Sequence, residues 1–132
     1  MKMDVKNEEP VQRRITRSST RLVSAVEAYL TEHSGEKFSL RETAREMHVD
    51  GSYLLRVYKA HTGHTLLWFH NHVRCKKAKE LLAKNDLDIS AVGEAAGFVS
   101  SAHFSHIFKK VTGMTPSAWR LSQINDSPRD GE

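Results

Sequence analysis

One cysteine in 132 residues, Cys75, allows no internal disulfide, so a packed core has to hold this chain together, as in a reducing compartment. Apolar runs are only a few residues long, far short of the roughly 20 that cross a bilayer. Lys2 and Lys6 are followed by acids and polar residues rather than an apolar stretch, so no signal peptide is read and a cytoplasmic protein without membrane association is expected. No glycine-rich phosphate loop or nucleophile–base signature is present. Eight histidines raise the question of a metal, but the pairs His103/His106 and His61/His64 have few acids nearby to complete a ligand set. The expectation is therefore no enzyme, no cofactor and no metal. Cys75 lies in "VRCKKAK" and reads as an ordinary helix residue.

Acids are the scarcest where it matters most. Val99 to Arg120 has none, against Lys109, Lys110 and Arg120. Ser52 to Asn85 has only Glu80 against seven cations, whereas Leu22 to Gly51 has six acids against Lys37, Arg41 and Arg45. Basic charge is thus gathered into two segments although the net charge of the chain is only +4, the distribution a polyanion-binding face requires.

What is present is helix after helix, each punctuated. Leu22, Val26, Tyr29 and Leu30 keep helical spacing to about His33. "SLRE" offers a capping box, Ser39 with Glu42, for a second helix through about Met47. Asp50 caps a third that ends near Gly63, and Thr65 a long fourth to about Asn85. Asp88 and Ser100 cap a fifth and a sixth, the latter ending at Gly113, and Thr115-Pro116 opens a seventh through about Gln123. The spacing predicts an all-α fold: a tail or linker stub over 1–18, a helix-turn-helix subdomain over 19–64, a linker helix over 65–85, a second helix-turn-helix subdomain over 86–123, and a tail over 124–132. The second half echoes the first at a shift of 49 to 50 residues, as an internal duplication would, and Ala44 and Gly93, 49 apart, are both small, as a close crossing of two helices requires.

In the sixth helix Phe104, Ile107, Phe108 and Val111 form an inner stripe, and Ala102, Ser105, His106 and Lys109 an outer one. In the third, Leu54, Val57, Tyr58 and His61 face in, and Ser52, Leu55, Arg56 and Lys59 face out. Neither outer stripe holds an acid, as entry into a major groove demands. Arg56 is the foremost candidate for base readout, since a guanidinium can bond guanine O6 and N7 together. His106 is its counterpart. Lys59, Lys109 and Lys110 suit phosphates. The fourth helix changes its apolar side between Leu66, Phe69, Val73 and Ala78, Leu81, Leu82, as a helix packing first on one core and then on another would. Its expected 21 or so residues measure about 31 Å, close to the 34 Å or so of one duplex turn. The rival reading is a helical protein-interaction module within a larger regulator.

"DGSYLLRVYKAHTGHTLLWF", "VRCKKAKELLAKNDLDISAVGEAAGF" and "HFSHIFKKVTGMTPSAWR" together resemble the DNA-binding domain of the AraC/XylS family of bacterial transcription regulators, over about Leu22 to Arg120. The resemblance implies double-stranded promoter DNA as partner and, usually, activation through RNA polymerase; oligomeric state stays open. It implies a recognition role for Ser52, Leu55, Arg56 and Lys59, and for Ala102, Ser105, His106 and Lys109, and Ser101 and Lys110 are expected to bind DNA beside them. Departures are Phe69 and Trp119 for tyrosine, Gly51 and Ser101 for proline, Ala102 and His103 at the start of the second recognition helix, and Gly93 for alanine. The last is expected to loosen the fifth helix by about 1 kcal/mol.

Overall fold

Local chemistry places the helix ends. The computed structural model describes residues 16–126, and among them there are seven helices and no strand. They are α1 (Arg17–Glu32), α2 (Leu40–Glu46), α3 (Gly51–Thr62), α4 (Leu66–Lys84), α5 (Ile89–Ala95), α6 (Ser101–Thr112) and α7 (Pro116–Asp126). Asp50 accepts from the Ser52 and Tyr53 amides, Asp88 from that of Ala91 and Ser100 from that of His103. Thr65 and Thr115 do the same for α4 and α7 through Trp68 and Ala118. Each bond satisfies one of the donors that a helix start leaves without an intrahelical partner.

Three expected details differ. The Ser39 hydroxyl accepts from the Glu42 amide, but the return bond from Glu42 is not made, so only half of that capping box forms. A complete one stands at Thr16, whose hydroxyl accepts from the Ser19 amide at 3.1 Å while the Ser19 hydroxyl accepts from the Thr16 amide at 2.7 Å. It starts α1 at Arg17, so Arg17 and Ser18 are helical rather than part of a tail; α7 likewise carries on through Ile124 to Asp126. The rest of the expected tails, 1–15 and 127–132, lies outside the described residues.

The chain divides into two units. One takes the described residues up to His33 together with Phe38–His70, the other Ser34–Lys37 together with Asn71 onward. In the first, Val26, Leu30, Leu54, Tyr58 and Leu66 form the centre of a core with Ala44 at the crossing of α2. Tyr58 donates its hydroxyl to Glu27 Oε2 at 2.7 Å, tying α3 to α1. Burial, then that hydrogen bond and the Glu27 charge, push the phenol well above its ordinary pKa.

In the second unit, Cys75, Ala78, Leu82, Val92, Phe104 and Phe108 are the centre. Trp119 closes it edge-on against Phe108, with ring centroids 6.2 Å apart. Gly93 is where α5 meets α6: a Cβ there would lie 2.6 Å from Phe104 Cδ2. Glycine at this position is therefore the small residue that the expected helix crossing requires, and this packing outweighs the loosening expected from helix propensity.

Arg74 is the other surprise, only 4% exposed. Its Nε donates to the Ser34 carbonyl at 3.1 Å and its Nη2 to that of Glu36 at 3.0 Å, with the guanidinium 5.2 Å from the Phe98 ring centroid. Burial lowers its pKa, against a smaller opposing effect from Cys75. α4 serves both units, Leu66 in the first core and Cys75, Ala78 and Leu82 in the second, which is why no single apolar stripe runs along it.

Candidate nucleic-acid interface

Each unit builds one short helix, a tight turn and a second helix. In the first unit the turn follows α2: the His48 amide donates to the Arg45 carbonyl and that of Val49 to the Ala44 carbonyl, both at 3.1 Å. In the second, Gly97 donates to Glu94 and Phe98 to Gly93, both at 3.0 Å. The same bonds recur 49 residues on. Both turns need a left-handed residue, His48 at φ 60° and Gly97 at φ 100°. Glycine is required at the second, because a Cβ there would lie 2.7 Å from the Gly35 Cα.

The helices that follow also end alike. Gly63 and Gly113 take φ 82° and 87°, the left-handed stop of a helix. Just before them, the Thr62 and Thr112 hydroxyls each donate to a carbonyl one turn back, Tyr58 and Phe108, at 2.8 Å. Those hydroxyls also accept the amides of His64 and Met114. α3 and α6 are thus fixed at both ends and along their inner stripes. Leu54, Tyr58, Phe104, Ile107 and Phe108 are buried, while Val57, His61 and Val111 are partly so.

The outer stripes are left to solvent. Ser52, Leu55, Arg56 and Lys59 on α3 are all exposed. On α6, Ser101, Ala102, His106, Lys109 and Lys110 are exposed, and Ser105 is partly covered. Within each unit, therefore, the expected residues lie on one accessible helix face, with Ser105 the least accessible. Arg41 and Arg45, exposed one turn apart on α2, add cations along a depression of about 670 Å³ that also borders Asp50 and Gly51.

One residue escaped the sequence reading. Tyr53 is 41% exposed, and the Arg56 Cζ lies 5.8 Å from its ring centroid. An aromatic three positions before an arginine was the available signal. The counterpart in the other unit behaves differently: His103 is partly buried, its ring 5.7 Å from that of Phe98, and its Nδ1 has no hydrogen-bond partner.

Chemically, each unit can present donors and a thymine-methyl contact to base edges, and cations to phosphates. Among the described residues no group of three or more His, Cys, Asp or Glu side chains gathers to hold a metal. None of the described helices is long and apolar enough to cross a membrane.

Comparison with known proteins points the same way. A family model described as a helix-turn-helix domain matches residues 43–122. The MmsAB operon regulatory protein of Pseudomonas aeruginosa is 33% identical over 98 residues, 74% of this chain and 32% of that protein. The C-terminal domain of AraT, a response regulator from Geobacillus stearothermophilus, superposes with a TM-score of 0.76 at 26% identity, covering 90% of this chain and 96% of that one. The DNA-binding domain of AdpA, a global transcriptional factor solved in complex with a target DNA, shares the fold with a TM-score of 0.74 at 24% identity, over 82% and 97% of the two chains. The chain spans about a third of the length of the first curated relatives it matches.

Proposed function

Because the chain belongs to the AraC/XylS family of transcription regulators and carries its DNA-binding domain, we propose that it reads a specific double-stranded promoter sequence with two heads, α3 and α6, each in a major groove. The observation that carries this reading is the pair of acid-free outer stripes, exposed on helices whose turns and ends are bonded alike. Arg56 is assigned to a guanine, Leu55 and Ala102 to thymine methyls, and Ser52, Ser101, Ser105 and His106 to base edges or nearby phosphates. Lys59, Lys109 and Lys110 are assigned to phosphates, which fix register without specifying sequence.

The proposal includes entry into successive groove segments; α4 itself has 19 residues, about 28 Å, slightly less than expected from the sequence. The further step, activation through RNA polymerase, rests on the family relationship, as does the assignment to the cytoplasm.

Selection of binding sites from a randomised duplex pool tests the reading. The chain is expected to enrich one asymmetric motif, and Arg56→Ala to relax one or two positions in one half-site only, at a cost of about 1–3 kcal/mol. Enrichment of no motif would overturn the function, and an unchanged motif in the variant would overturn the role of Arg56.

A further inference from the structure

Arg56 is the only arginine on either outer stripe, and a bidentate contact with a base demands that its guanidinium plane be oriented, not merely nearby. An exposed arginine on a helix samples many rotamers, and ordering one on binding costs affinity. The ring of Tyr53, one turn earlier on the same helix, lies beside it, with Cζ 5.8 Å from the ring centroid. Tyr53 is 41% exposed and is not among the buried residues that form the core of its unit. The Asp50 carboxylate, the nearest acid in sequence, is occupied with the Ser52 and Tyr53 amides.

We infer that Tyr53 is a positioning residue: its ring holds the Arg56 guanidinium in the orientation that reads a base, before DNA arrives. The inference rests on the reading of α3 as a recognition helix and deepens it by naming what sets specificity there. It also makes the two heads unequal. In the second unit the equivalent ring, His103, is partly buried and lies against Phe98. His106 therefore has no such platform, and discrimination between bases falls mainly to the first head.

The test is a double-mutant cycle read on sequence preference. Wild type, Tyr53→Leu, Tyr53→Phe, Arg56→Ala and the Tyr53→Leu/Arg56→Ala pair are measured on the selected site and on every single-base variant of it. Tyr53→Leu is expected to lose about 2- to 5-fold of the discrimination at the positions that Arg56→Ala relaxes, and to change nothing further once Arg56 is alanine. Tyr53→Phe, which keeps the ring face, is expected to behave as wild type. Thermal denaturation of Tyr53→Leu accompanies the cycle, and its midpoint is expected to stay near that of wild type.

Additive losses, or a loss at positions that Arg56→Ala leaves untouched, mean that Tyr53 contacts DNA by itself and overturn the inference. So does full discrimination by Tyr53→Leu, or a failure of phenylalanine to rescue. Absence of any preferred site for the wild type is a separate result: it removes the DNA-reading function and this inference with it.

Discussion

A methyl group added at Gly93 would lie 2.6 Å from Cδ2, 2.9 Å from Cγ and 3.0 Å from Cβ of Phe104. The Phe104 ring, fully buried against Phe98 and Phe108, has little room to yield. Gly93→Ala is therefore expected to destabilise the protein by about 1–3 kcal/mol in urea denaturation, although alanine is the better helix former by about 1 kcal/mol. A gain in stability would show that α5 shifts to absorb the methyl. Cys75 makes a second residue-level case. It is 1% exposed, and burial raises its thiol to about 11, with Lys79 and Arg74 pulling the other way. The folded chain therefore keeps this proton at pH values where the unfolded chain, near 9, has lost it. Stability should fall as pH rises between about 9 and 11, by an amount on the order of 2 kcal/mol. Tyr58, also raised, acts in the same direction. Cys75→Ala is expected to flatten part of that decline; an identical pH profile would refute the assignment. Cys75 did not announce itself in the sequence, and Gly93 did so only as the small counterpart of Ala44 at a helix crossing. The tightness of the contact at Gly93 was not readable because its partner, Phe104, lies on another helix, and Cys75 read as an ordinary helix residue because the lysines beside it are solvated.

At the scale of the element, helix starts and stops were the most legible feature. Asp50, Asp88, Ser100, Thr65 and Thr115 bond amides two or three residues away, so local sequence contains the whole interaction. The box at Thr16 was missed because serine takes the place that glutamate or glutamine usually signals. α4 was legible only in part. Its change of apolar side was readable, but Arg74 on it was not. The acceptors of Arg74 are backbone carbonyls 40 and 38 positions away, and a carbonyl leaves no residue-type signature. Arg74→Lys is expected to cost about 1–3 kcal/mol by chemical denaturation despite keeping the charge, because an ammonium cannot reproduce the Nε and Nη2 pair and a carbonyl loses its donor. Wild-type stability in that variant would show that the charge alone matters.

For the molecule as a whole, the placement of cations governs how it meets a polyanion. Each lysine that neutralises a phosphate adds about 0.9 to the slope of log affinity against log salt. Lys109→Ala and Lys110→Ala are each expected to lower that slope by about 1 and to weaken all duplexes alike. A variant that alters base preference instead would move that lysine to the readout group. The outer faces of α3 and α6 were legible because helical spacing separates them from the inner stripes. Base-by-base roles were not, since they depend on a partner whose chemistry the chain does not contain. The inner stripes, the two left-handed turns and the threonine-bonded helix ends hold α3 and α6 in place through groups other than the side chains of their outer stripes. On the proposed reading, the vocabulary of each head can therefore be rewritten, one letter at a time, on a foundation that does not notice the change.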